Sequence, residues 1–240
     1  MATWSIARRD VIAAFTTPLA WLVLACWTLL TNGLFLRTLD AVHGTPGADL
    51  PLYVEPLDLG VLFLALLAPA ITMSSFAQER TQGTMQLLLT VPIREHHLVL
   101  GKFLAALAVL VVLLLATLVQ PLVLAFISAV EVPHLLAGYL GLLLECMVFA
   151  ALGVWISLLV DSPIAAYVVT FGAIAVLILV GIPERDAWSH PIGQAIGLGP
   201  RLEPFFRGEI RLGNVAYLLA LAAGCLVLAH SALLARRIHG

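Results

Sequence analysis

The chain has 240 residues, 62% of them hydrophobic and only 11% charged, with a mean hydropathy of +1.06 and a formal net charge of −2. A soluble domain has no interior large enough to hide that much apolar surface, so the bilayer must be the solvent. The charge balance lacks the basic excess that nucleic-acid binding needs, and Cys26, Cys146 and Cys225 sit in apolar runs without CxxC spacing, as buried small hydrophobes do.

In chain order, Trp4, Ala7, Val11 and Phe15 recur at helical spacing, while Arg9 and Asp10 face elsewhere. This predicts an amphipathic helix over residues 3–16, lying in the inner membrane interface with Trp4 as its anchor. The alternative is a plain cytoplasmic extension of the first span. Arg8 and Arg9 precede an apolar run that continues past Trp27 to Leu36, too long for the core of a cleavable signal peptide.

A helix needs roughly 20 apolar residues to cross the hydrocarbon. Six segments qualify: Pro18–Leu36, Leu59–Ala77, about Leu98–Ile127, Leu135–Leu159, Pro163–Ile182 and Val215–Leu234. Gln120 and Pro121 interrupt the third, which predicts a kink or an early exit there. Ser162–Pro163 reads as a tight inner turn, and Asn214 as the N-cap of the last span. Lysine and arginine positions orient the bundle. With a cytoplasmic N-terminus, Arg8, Arg9, Arg80, Arg94, Lys102, Arg236 and Arg237 lie inside, and most of the acidic residues lie outside. Both termini are then cytoplasmic. The outer segment 183–213 contains Pro191–Leu198 (PIGQAIGL), too apolar for an exposed loop, which predicts a re-entrant element buried against protein.

Between spans two and three lies QERTQGTMQLLLTVPIREHH, residues 78–97. On the orientation above it faces the cytoplasm. Gly83 allows close backbone approach, Met85, Leu88 and Leu89 form a small apolar face, and Pro92 stops the helix. A short helix with an apolar ridge suits docking into a partner's groove. Periodicity alone fits equally well a loop folded back onto its own bundle.

The run Glu79-Arg80-x-x-Gly83-Thr84-x-x-Leu87-Leu88-Leu89-Thr90-x-Pro92-Ile93, followed by Leu98-x-Leu100-Gly101-Lys102-Phe103, resembles the ABC-2 class of ABC-transporter permeases. It looks most like the gliding-motility branch, with a more distant likeness to the nitrous-oxide-reductase maturation permease. Trp4-x-Ile6-x-Arg8-Arg9 with Phe15-x-x-Pro18 is similar to the family's elbow, Leu152-Gly153-x-Trp155-Ile156-Ser157 to its fourth span, and Phe205-Phe206-Arg207-Gly208 to the segment before its last span.

The resemblance implies an all-α integral membrane fold: a single permease domain over 1–240 with six transmembrane helices, the elbow and a cytoplasmic coupling helix within 78–96. It implies a bacterial inner-membrane complex of two ABC ATPase subunits with a second copy of this permease or a homologous one, set among membrane lipids. Glu79, Arg80, Gly83, Thr84, Leu88 and Pro92 match the coupling segment. Glu79 and Arg80 would make polar contacts with the ATPase, and the leucines would fill its groove. ATP and magnesium would belong to the ATPase chain, and nucleic acid would play no part. The function implied is export or movement of a substrate. The alternative is mechanical action on a periplasmic protein, docked on the long outer segments.

The residues themselves offer no nucleotide site. Gly101-Lys102 is the one Gly-Lys pair, but His96 stands where a P-loop needs its first glycine and Phe103 where it needs Ser or Thr. The scattered histidines form no HExxH, and no Gly-x-Ser-x-Gly elbow is present, so an intramembrane enzyme finds no support. Lys102, near the inner end of span three, reads as a lysine snorkelling to phosphates. Glu145 lies near the middle of span four, one turn from Gly141 and two from Gly138. A charge at that depth is costly, so it either lines the transport path or serves as a structural carboxyl bonded to a neighbouring helix.

Overall fold

The computed structural model describes residues 2–43, 54–83, 94–127, 132–181, 193 and 195–239. These residues form ten helices and no strands: α1 Ala2–Thr16, α2 Pro18–His43, α3 Val54–Thr72, α4 Ala77–Thr81, α5 Glu95–Ala116, α6 Val119–Ile127, α7 Val132–Leu159, α8 Pro163–Leu179, α9 Gly199–Phe206 and α10 Leu212–His239.

Among the described residues, five helical stretches are long and apolar enough to cross a membrane: Pro18–Asp40, Leu59–Thr81, Glu95–Leu124, Val132–Leu159 and Leu212–Ala235. The expected fifth span, α8, is apolar but only 17 residues long, short of the roughly 20 that a full crossing takes. Its start is well defined. Ser162 Oγ accepts from Ala165 N at 3.2 Å and Pro163 occupies the first turn, which makes the tight turn expected from the sequence.

The central element is α7. It packs against α3, α5, α8, α9 and α10 and buries most of its surface, whereas α2 and α10 leave most of theirs exposed. Small residues allow the close approach. A Cβ on Gly153 would lie 2.5 Å from Thr72 Cβ, and one on Gly141 would lie 2.9 Å from Phe205 Cβ. Phe149, Leu110, Leu64 and Trp27 fill the space between these helices.

The break in the third span falls at Thr117–Leu118, four residues before Pro121. Proline has no N–H to offer the carbonyl four residues back, and its ring crowds that carbonyl. The last turn of α5 tightens, with Thr117 N bonded to Leu114 O at 3.1 Å, and Trp27 Nε1 donates to the Leu113 carbonyl at 2.7 Å. A carbonyl displaced from the helix ladder thereby ties α2 to α5.

Three local expectations are corrected. Cys26 is exposed, unlike Cys146 and Cys225, because the outer face of α2 meets no other helix there. Asn214 is not a cap. It lies inside α10, where its Oδ1 accepts from Arg201 Nη1 and its Nδ2 donates to Arg201 O at 3.0 Å. Asp10 is not on a separate face of α1: it turns towards α5 together with Ile6 and Ala7, while Trp4, 72% exposed, points away from the bundle.

Candidate functional site: the junction around α4

The second span does not run straight into the segment 78–97. The chain bends between Thr72 and Ala77, and α4 starts with Phe76 at its N-cap position, where no side chain of its own segment caps it. The cap comes from another helix. Ser157 Oγ, on α7, accepts from Phe76 N at 2.9 Å and Ala77 N at 3.0 Å and donates to Met73 O at 3.2 Å. One buried hydroxyl thus satisfies three backbone groups of the bend, two of them N–H groups on the fully buried Phe76 and Ala77.

Glu79 and Arg80 are neighbours in sequence but serve opposite sides of the junction. Arg80 reaches the end of α7: Nη2 donates to Leu158 O at 2.5 Å, and Nη1 donates to Val160 O at 2.9 Å and to the Asp161 carboxylate. A guanidinium over the last carbonyls of a helix satisfies orphan acceptors and meets the negative end of the helix dipole. Glu79 turns the other way. Its Oε1 lies 2.5 Å from Lys102 Nζ on α5 and 3.6 Å from Arg9 on α1.

Lys102 is 6% exposed and does not snorkel. Besides Glu79 it pairs with Asp10 Oδ2 at 2.9 Å and lies 5.6 Å from the centre of the Phe76 ring. Arg9 closes the group at 2.9 Å from Asp10 Oδ1. The preceding glycine has its own reason. A Cβ at Gly101 would stand 2.8 Å from Ile6 Cγ2 and 3.2 Å from Thr3 O, so Gly101 lets α1 lie directly on α5. The Gly-Lys pair that superficially suggests a phosphate loop is a packing notch followed by an ion-pair centre.

Gly83 has φ +70°, with open space around the position of a Cβ. The glycine is needed for the left-handed conformation that ends α4, not for close approach, and its N–H bonds Arg80 O at 3.0 Å. Thr84, Leu88 and Pro92 lie outside the described residues. Glu145 is far from this junction, wholly buried in the middle of α7.

Residues 5–194 match the family described as ABC-2 family transporter protein. The chain belongs to the ABC-2 transporter family. It is a multi-pass membrane protein and a permease component of an ABC transporter, of a family that generally lacks a nucleotide site and works with an ABC ATPase. No curated protein matches it in sequence. For an ABC-2 permease, the α4 junction is the place where the chain leaves its second span.

Four participants escaped the sequence reading: Ser157 as a cap, Asp161 as a partner of Arg80, and the pairing of Asp10 with Lys102. A signal existed for the last. Asp10, Glu79 and Lys102 all fall on one side of the membrane beside apolar runs, and opposite charges in so dry a setting are expected to pair.

Proposed function

We propose that this chain is the membrane subunit of an ATP-driven ABC-2 transporter of the gliding-motility type, in which a separate ATPase drives export or movement of a substrate. Two ATPase subunits, carrying the ATP and magnesium, would engage a pair of permeases, either two copies of this chain or one with a homologue. The chain would be a single domain in a bacterial inner membrane with both termini cytoplasmic, six spans including the short α8, α1 as the elbow and 183–213 as an outer re-entrant segment. The coupling residues in this reading are Glu79, Arg80, Gly83, Thr84, Leu88 and Pro92.

The observation that supports it best is the position of α4. It emerges from the second span already tied to α7 by Ser157 and Arg80 and to α1 and α5 by Glu79, so a push on the residues beyond Gly83 reaches four helices at once. Rigid elements joined this way are suited to converting closure of an ATPase pair into relative helix motion. Glu145 would line a path only when the helices around α7 part.

Copurification tests the reading. An ATPase should accompany the full-length permease, and Leu88→Asp should release it or abolish the permease-dependent part of its ATP hydrolysis. A permease that retains no ATPase under any nucleotide condition would sink the proposal. Normal ATP-driven motion with no transported solute would favour mechanical action on a periplasmic partner instead.

A further inference from the structure

The charged group centred on Lys102 joins three elements far apart in sequence. Asp10 comes from α1, Glu79 from α4 and Lys102 from α5, with Arg9 at the rim. The two carboxylates are largely enclosed, with side-chain exposures of 17% and 19%, and the lysine between them is more so. Gly101 already presses α1 onto α5 through Ile6, and Thr3 Oγ1 meets His97 Nδ1 at 2.7 Å. α1 and α5 therefore form one packed unit, and Lys102 is the cation that holds α4 to it through Glu79. An ammonium is a compact charge with three rotatable donors, so it can keep both carboxylates as they shift. Without it, the two carboxylates share only the half-exposed Arg9 and their mutual repulsion grows.

We infer that Lys102 is a positioning residue, an ionic latch that makes α1 and the base of the coupling segment move as one body. Its share in transmission rests on the ATPase-coupled reading above; its effect on the α1–α4 distance does not. Arg80 and Ser157 hold the other side of α4 to α7, so the latch decides whether displacement of the segment beyond Gly83 reaches α1 and α5 as well.

The test uses the full chain in lipid nanodiscs, with Cys26→Ser to remove the exposed thiol and spin labels on Arg8→Cys and Gln82→Cys, both exposed positions. In the otherwise native chain the α1–α4 distance distribution should be narrow, and it should stay narrow when ATPase, ATP and vanadate are added. Lys102→Met should broaden and lengthen it. Lys102→Arg, which keeps a cation between the two carboxylates, should leave it narrow. Because Lys102→Met leaves two carboxylates with only Arg9, at the rim, between them and can prevent folding, the neutral triple Asp10→Asn, Glu79→Gln, Lys102→Met is measured too; it removes the three enclosed charges together and should fold with a broadened distribution. In the complex, permease-dependent ATP hydrolysis should fall about tenfold with Lys102→Met, within the usual range of coupling between sites, and be largely kept by Lys102→Arg. A narrow distribution in the triple variant overturns the latch, as does a broad one in Lys102→Arg. Absence of a bound ATPase overturns the coupled reading but leaves the distance measurement on the permease alone to decide the latch.

Discussion

The two ends of the bundle are held by different physics. At the α4 end the joints to α4 are polar side chains: Lys102 between Asp10 and Glu79, Arg80 over the last carbonyls of α7, Ser157 across the bend. At the α9 end backbone meets backbone. A Cβ on Gly197 would stand 2.3 Å from Gly181 Cα, one on Gly193 2.2 Å from Val180 O, and Leu198 N bonds Leu177 O at 3.1 Å. Gly208, at φ +81°, lies under the His134 ring, and Phe205 sits on Gly141. Coulomb attraction falls as the inverse of distance, so stretching a pair from about 3 to 4 Å loses about a quarter of it. Close-packed atoms lose a quarter to about half of their attraction within a gap of 0.5–1 Å, and they resist compression steeply. The α4 end is suited to following a displacement, and the α9 end to resisting one.

Four substitutions break or sharpen that contrast. The largest effect belongs to the glycine contact. Gly197→Val puts a branched side chain into the backbone of Gly181, and with no flexible neighbour to yield, the loss should exceed the ~3 kcal/mol usual for overpacking. Size-exclusion profiles in detergent should show little monodisperse protein; a wild-type profile and melting curve would mean that this end is looser than described. Next comes Ser157→Ala, which strands two buried N–H groups at roughly 1–3 kcal/mol each. Hydrogen exchange at Phe76 and Ala77 should accelerate, and unchanged protection there would count against the cap.

Arg80→Lys keeps the charge but loses the fork that reaches Leu158 and Val160 together, for about 1 kcal/mol. Its signature should be faster exchange at the inner end of α7 with little change in global melting temperature. Smallest is Arg207→Ala. Arg207 pairs with Glu203 at 2.5 Å, but both side chains are more than half exposed, and the change should stay within about 0.5 kcal/mol in a thermal melt. A larger drop would show that ion pairs also matter at the α9 end.

Particular residues show how far the sequence could be read. Pro121 announced the break in the third span because its missing N–H acts on a neighbour four residues away. Ser162-Pro163 announced the start of α8 for the same local reason. Asn214 misled because an asparagine near a helix start resembles a cap until a partner from α9 claims its amide. Asp10 misled because several rotations of α1 satisfy an amphipathic pattern, and only Gly101 and Lys102 on α5 select the one that turns Asp10 inward.

Apolar length and proline position were enough for a helical membrane protein, since span and break signals act over one or two turns, and the run beginning at Glu79 added the resemblance to ABC-2 permeases. Which charges meet was decided by the tertiary structure alone. Asp10, Glu79 and Lys102 are separated along the chain by tens of residues. Nothing in their local surroundings says that packing of α1 on α5 and the bend after α3 will carry two carboxylates to one buried ammonium.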